Sequence, residues 1–481
     1  MKLTHSCLNS RIALLVICLQ SAQLQHAAQA ATTDLESELF GGDEEQAEPA
    51  QSSNNSISAP TAAPTAAPSP QSKEGALANP LVIGGRLEID TSINKRQNQS
   101  FSNAGMARSG AAELYLDGRP AEGLRGFVKG AIKWPASTTQ NQTSSENLRL
   151  SLYEMWVKWG GTSSVYTTFG RQKLKWGAAS FWNPSDFLAV ETKDPLATFD
   201  IRPGADLLKI HLPLEKQGHN LYAVVDFTGA NKPHSLRGAA RAEFNFGFDE
   251  VSGELTTTIA AAKDRPLQFG LDLNTALGPI DLIAEAAFTR KSNATFYQLD
   301  NDEFGNRVFK TKDRSKDTIT QVVGGLRYDI KYSDSDSANL SFEYFWNDAG
   351  YSDVALEAYS FIQGQSRQLY LAHRYLAGSL FLAQPGSLND SNVIFSALHN
   401  LTDKSWLAQG VFSHKILTRS TLEVALVKAG GAGEFTGGIP KSVAEKVKSS
   451  TVLSEGASTV LDSVTDAGQD WTVRISAGMD L

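Results

Sequence analysis

Trp471-Thr472-Val473-Arg474-Ile475-Ser476-Ala477-Gly478-Met479-Asp480-Leu481 alternates without a break. Trp471, Val473, Ile475, Ala477, Met479 and Leu481 are apolar, and the residues between them are polar or small. A strand turns successive side chains to opposite faces, so this run is one strand with a greasy face and a wet face. Termini of soluble domains usually fray. A long patterned strand ending flush with the chain therefore points to the closing strand of a membrane barrel, with a soluble β-sandwich as the competing reading of this segment alone.

The same period recurs upstream. In Arg125–Trp134, Val128, Gly130, Ile132 and Trp134 oppose Arg125, Phe127, Lys129 and Lys133. Leu267–Asn274 and Leu340–Asn347 repeat the pattern. Segments of about ten residues, apolar outward and polar inward, are the mark of transmembrane β-strands. The reading is all-β, an antiparallel transmembrane barrel spanning 80–481. It has about eighteen strands, or fourteen to sixteen if hairpins have been split in error. The expected strands are 81–93, 110–118, 124–134, 147–159, 163–176, 206–214, 219–229, 236–248, 252–263, 266–276, 280–290, 317–332, 338–347, 368–383, 390–401, 405–416, 420–429 and 469–481. Parity supports the count. The connections on the side of the N-terminus are all short, and the long ones (177–205, 291–316, 348–367 and 430–468) fall on the other side, the barrel rule of short periplasmic turns and long external loops.

The start of the chain agrees. Lys2 and Arg11, then the apolar run Ile12–Leu19, then Ala28-Gln29-Ala30 read as a secretory signal over 1–30, cleaved near Ala30. Both cysteines, Cys7 and Cys18, lie inside it. The mature chain thus has no thiol for disulfides, zinc-thiolate sites or nucleophilic catalysis. Residues 31–79 are acidic and then rich in Ala-Pro steps, the composition of a disordered periplasmic tail. The chain holds 44 basic and 52 acidic residues, so losing Lys2 and Arg11 leaves 42 against 52, a net −10. The tail, with eight acids and one base, carries −7 of this, and the barrel is nearly neutral. Nothing resembles a nucleic-acid footprint. The expected partners are outer-membrane lipid and the barrel assembly machinery, with Trp471 and Leu481 as the assembly signal; Leu481 is apolar where such barrels usually end on an aromatic.

A barrel of this size encloses an aqueous channel unless something blocks it. The expected fifth strand places Arg171, Lys173 and Lys175 in one row. Three cations facing lipid near the midplane would cost several kcal/mol each, so the row is assigned to the lumen. With Lys129 and Lys133 it makes a basic ladder. Either the ladder attracts anionic solutes, or it pairs with the inward acids Glu154, Glu285 and Glu343 and ties the wall together. The loop from Gly177 to Asp206 is too long for a plain turn; it holds Pro184, Pro195 and Pro203, and its aromatics Phe181, Trp182, Phe187 and Phe199 suggest order. It is expected to fold inward and constrict the pore through Trp182, Asn183, Pro184 and Asp186; an exposed cap is the alternative.

Glu154, Gly170-Arg171-Gln172, Trp176-Gly177, Asn183-Pro184-Ser185-Asp186 and Arg202-Pro203-Gly204 together resemble a proteobacterial outer-membrane family of unassigned function. Glu343-Tyr344-Phe345, Arg374-Tyr375-Leu376-Ala377, Asn400-Leu401-Thr402-Asp403 and Gly433-Glu434-Phe435 extend the likeness across most of 80–481. Members of that family accompany inner-membrane resistance-nodulation-type exporters and periplasmic lipoprotein-localisation-like carriers. The resemblance therefore implies a periplasmic carrier or exporter as partner and hydrophobic or lipidic cargo. Alginate-export barrels are a more distant resemblance, through Gly170-Arg171-Gln172 and the basic lumen.

Enzyme signatures are missing: there is no H-E-x-x-H, phosphate-binding glycine loop, dinucleotide fingerprint or G-x-S-x-G. No cofactor or metal is expected. Asp300-Asn301-Asp302-Glu303-Phe304-Gly305 resembles the start of a calcium loop, but Phe304 replaces a ligand and an external turn fits better. The function expected is a porin-like channel, passive or the outer component of an export route. The alternative is a structural or adhesive barrel blocked by its loops.

Overall fold

The computed structural model describes residues 81–134, 148–160, 164–191, 193–197, 202–248, 251–263, 265–333, 336–363, 370–451 and 453–481. The signal at 1–30 and the acidic tail at 31–79 lie outside the described residues.

The wall is built from eighteen strands. They are β1 Leu81–Arg96, β2 Gly105–Ala121, β3 Leu124–Trp134, β4 Arg149–Gly160, β5 Tyr166–Gln172, β6 Ala205–Leu214, β7 His219–Asp226, β8 Arg237–Phe248, β9 Val251–Ala262, β10 Leu267–Leu277, β11 Ile280–Arg290, β14 Thr318–Lys331, β15 Ser337–Asn347, β16 Arg374–Ala383, β17 Ser391–Asn400, β18 Trp406–Leu417, β19 Ser420–Gly430 and β20 Gln469–Asp480. β12 Phe296–Asn301 and β13 Arg307–Lys312 form a separate hairpin. Each wall strand pairs antiparallel with the next, and β20 returns to β1 with Met479 opposite Leu87 and Ile475 opposite Thr91. The sheet is a closed antiparallel barrel with no free edge, so every strand has partners on both sides. Beyond β20, the Leu481 amide still donates to the Gly85 carbonyl at 2.8 Å.

The period of two sorts the side chains as expected. Ile83, Leu114, Phe169, Ile259, Phe342, Phe395 and Ile475 are exposed outside, while Ala260, Glu285, Val323, Glu343, Tyr375 and Leu398 are buried inside. Outward tryptophans mark the ends of the apolar band. Trp134 covers Gly110 and Trp406 covers Gly430 at the end with long loops, and Trp159 lies at the opposite end. Such aromatic girdles sit at membrane–water boundaries.

Two expectations need correction. The strand expected over 163–176 is only β5, Tyr166–Gln172. Gly170 adopts φ +125, a conformation that favours glycine, and a Cβ there would stand 2.2 Å from the Met155 carbonyl. The chain leaves the sheet two residues later, so Lys173 and Lys175 are not in register with Arg171. The long loops also hold more regular structure than the alternation predicts. Besides the β12–β13 hairpin they contain α1 Val354–Ile362, α2 Lys441–Ser450 and α3 Glu455–Val464. The Asp353 carboxylate caps α1 by accepting from the Ala355 amide at 2.8 Å, and the Ser454 hydroxyl caps α3 through Ala457 at 3.2 Å. These elements share an apolar core of Phe309, Ala355, Ile362, Val447 and Leu461, which forms a cap over the long-loop rim. The Asp300–Gly305 run is the hairpin turn, with the Asp302 carboxylate accepting from the amides of Phe304 and Asn306.

Candidate functional site: the lumen and its inner loop

The connection from β5 to β6 enters the barrel. Asn183-Pro184-Ser185-Asp186 is a tight turn, closed by the Asp186 amide on the Asn183 carbonyl at 3.2 Å, with Pro184 presetting the second position. Trp182 is 2% exposed and lies 5.5 Å from the ring of Phe345 and 5.8 Å from that of Tyr375. Phe345 and Tyr375 belong to the inward rows of β15 and β16, so Trp182 is inside the wall. Phe181, Leu196 and Phe435 complete this cluster; Trp176, Phe187 and Leu188 pack against Leu207, Val224 and Ala260 further round.

Two inward carboxyl groups hold the loop backbone. Glu343 accepts from the amides of Ser180 at 2.5 Å, Phe181 at 2.9 Å and Trp182 at 3.4 Å. Glu285 accepts from Ala179 at 3.2 Å and Ser185 at 2.8 Å. Gly177 makes room for this grip, since a Cβ there would lie 2.7 Å from a Glu285 carboxyl oxygen. Cations grip the loop carbonyls. Arg327 donates to the Ala178 carbonyl at 3.2 Å and to the Ser180 hydroxyl at 2.6 Å, and Arg237 donates to the Phe187 carbonyl at 2.5 Å. The Ser185 hydroxyl donates to Asp272 at 2.7 Å; Asp272 in turn pairs with Arg241, whose guanidinium lies over Trp176. Most of the buried polar groups here are satisfied in this way, although Arg237 Nε, Arg327 Nε and Asn183 Oδ1 are buried without a hydrogen-bond partner among the described residues.

Glu285 and Glu343 therefore serve the loop, not the basic ladder. A buried loop amide that lies off the sheet lacks a strand partner, and a nearby carboxyl supplies one. Glu154 instead accepts from the Trp156 indole at 3.2 Å.

The ladder itself divides. Lys129 faces inward and pairs with Glu113 at 3.6 Å. A bulge in β4 turns Tyr153 inward beside Glu154, and its ring receives the ammonium groups of Lys133 at 5.1 Å and Lys173 at 6.0 Å. Lys175 is exposed. Arg171 departs from the expectation: it shares the outward face with Phe169 and Met155 and forms a fork on Asp206 at 2.8 and 2.9 Å. An outward cation costs little at the bilayer edge, about 0–1 kcal/mol, and Arg171 is the second-last residue of β5, beside that edge.

The alternation does not announce a row of rings along the inner wall. Tyr115, Phe127 and Trp156 follow one another across β2, β3 and β4 at 6.1 and 5.4 Å. Lys158, two residues beyond Trp156, lies over Tyr166, and Tyr166, His211 and Tyr222 continue across β5, β6 and β7 at 5.9 and 4.5 Å. Tyr115 leans over Gly84 and Tyr166 over Gly160, where a Cβ would meet each ring within 2.6 Å. Arg125 lies over Trp156 and is held by Asp117 at 2.9 Å. The signal was in the sequence, as at least one inward aromatic on each of six adjacent strands.

At the long-loop rim the lumen meets the cap. Glu434 accepts from the Leu371 amide at 2.9 Å, the Tyr375 hydroxyl at 2.6 Å and the Asn400 amide group at 3.1 Å. Burial pushes its carboxyl up to about 7. Glu357 of α1 is buried beside it; that burial, and then the charges of Asp403 and Glu434, push its carboxyl up to about 10. A cavity of about 30 Å³ lies between α1, Asp403 and residues 433–443.

Solved outer-membrane barrels resemble this chain. OpdK of Pseudomonas aeruginosa is 11% identical, with 83% of this chain covering 98% of that one at a TM-score of 0.47. OprB of Pseudomonas putida is 9% identical, covering 83% and 94% at 0.45, and the channel DcaP of Acinetobacter baumannii is 12% identical, covering 83% and 97% at 0.40. At such identities the likeness concerns the fold alone, and no residue role is carried over. No protein-family model matches the chain, and no curated protein matches it.

Proposed function

We propose that the protein is a passive channel of the bacterial outer membrane, narrowed by the loop between β5 and β6 with Trp182, Asn183, Pro184 and Asp186 at its innermost turn. The observation that carries this reading is the one-sided anchoring of the loop. Apart from the contacts of its two ends with Tyr153 of β4, its described contacts fall on the wall from β6 round to β18, while Arg86, Glu88, Glu113, Lys129, Glu423 and Arg474 on β19, β20 and β1–β3 stay partly exposed to the lumen. Charged side chains paired on a wetted wall fit an aqueous passage.

Lys133 and Lys173 over Tyr153 offer a cationic, π-faced site for a carboxylate, and the aromatic row offers ring faces below it. The solute class this favours is an amphipathic, ring-bearing anion. The resemblance to the exporter-associated family supports an export role for hydrophobic cargo, with a periplasmic carrier or inner-membrane exporter supplying it. The capped rim favours a second reading, a barrel closed by its loops with no transport role.

Single-channel recording in planar bilayers separates the two. Discrete conductance steps are expected, and a silent barrel would sink the channel. Lys133→Glu with Lys173→Glu should then move the reversal potential toward cation selectivity. An unmoved potential would make the pair structural.

A further inference from the structure

The outer surface of the barrel is charged at one end only. Counting outward positions by the register, the wall strands present Lys95 on β1, Arg108 on β2, Arg171 on β5, Arg290 on β11, Arg374 on β16 and Lys428 on β19. Each lies within the four residues nearest the long-loop end of its strand. Two carboxylates accompany them at that end, Asp206, held by Arg171, and Asp470 at the bulge of β20, held by Lys95 and Lys428. Elsewhere the outward positions of the eighteen strands hold no Lys, Arg, Asp or Glu.

These cations stand level with the tryptophans that mark the edge of the apolar band. Trp471 is opposite Lys95 and Lys428, with the Lys428 ammonium 4.5 Å from its ring centre, and Trp346 is opposite Arg374. The two lysines share Asp470. Arg108, Arg290 and Arg374 are exposed and form no ion pair with a carboxylate among the described residues. An arginine at headgroup depth with no protein counter-charge is matched by an anion of the lipid, and its planar fork suits a phosphate. Chance placement would scatter such residues over both ends.

We propose that this belt binds a lipid surface carrying phosphate groups, specifically in the leaflet at the long-loop end, with Arg108, Arg290 and Arg374 as phosphate ligands and Trp134, Trp346 and Trp471 fixing the depth. The belt anchors the barrel in a leaflet of different headgroup charge from the opposite one.

Native mass spectrometry of the detergent-solubilised full chain tests this with two probes of identical dioleoyl chains, phosphatidate and phosphatidylcholine. Phosphatidate is expected to bind more tightly, and the combined variant Arg108→Gln, Arg290→Gln, Arg374→Gln to lose most of that preference. At about fivefold per basic residue near an anionic surface, the loss should approach about 100-fold. A charge-matched control, Arg307→Gln, Lys310→Gln and Lys312→Gln on the exposed β12–β13 hairpin, should keep the preference. Equal binding of the two lipids by the unaltered protein overturns the proposal without any variant having to fold. Equal losses in belt and hairpin variants also overturn it, because net charge alone would then explain the effect.

Discussion

Replacing Glu343 with alanine tests whether the inner loop is held by the wall or merely rests on it. The substitution leaves the amides of Ser180, Phe181 and Trp182 without their acceptor in a buried site. A buried donor left unpaired costs about 1–3 kcal/mol. Counting only the two short bonds, the anchored state loses about 2–6 kcal/mol, and the third bond, at 3.4 Å, adds little. Each 1.4 kcal/mol is about a tenfold change in population, so the detached loop becomes roughly 30- to 10⁴-fold more populated. Glu343→Gln keeps one acceptor oxygen and should fall between the two. Amide hydrogen exchange of peptides covering 178–183 should quicken in that order, and the open-channel current should become larger or noisier. Unchanged exchange protection in Glu343→Ala would refute the reasoning, because the packing of Trp182 would then suffice to hold the segment.

Trp182→Ala removes the contacts with Phe345 and Tyr375 and should cost about 3–5 kcal/mol of loop anchoring, read as earlier proteolytic cutting within 173–197 in a folded barrel. The cap is expected to loosen as pH rises. A carboxyl held above its ordinary 4.5 binds its proton more tightly when folded, so its contribution is complete below about pH 4.5 and fades as pH climbs through 7 for Glu434 and 10 for Glu357. Exchange in α1, corrected for chemical rate, should accelerate between about pH 6 and 9, and Glu357→Gln should flatten most of that slope. The Arg171–Asp206 fork lies at the rim with a third or more of each side chain exposed. A double-mutant cycle should return only about 0.2–1 kcal/mol, and a coupling above about 2 would show a pair shielded from water.

The wall was legible because its rule is local. Alternation depends on neighbouring residues, and Leu340–Asn347 or Trp471–Leu481 declare both faces without reference to the rest of the chain. Closure and parity followed from counting. Arg171 departs from the expectation because the lumen assignment weighed three cations in one row, whereas β5 stops at Gln172 and leaves Arg171 as a single outward cation at the bilayer edge. The partners of Glu285 and Glu343 were out of reach for a related reason. They lie about a hundred or more residues from the amides they accept, and an inward acid carries no mark of which donor will meet it. The helices α2 and α3 did leave a trace, in Val443 and Val447 one turn apart and in the cap at Ser454 before Ala457. It was weak beside eighteen alternating segments.

The carboxyls that seize the inner loop also tie distant parts of the wall to one another. The loop leaves β5 and is gripped by Glu285 on β11 and Glu343 on β15, six and eight strands further round the sheet. Its backbone thus works as a strut across the lumen, opposing any flattening of the barrel. Such contacts close long stretches of chain, so they form at a high entropic cost.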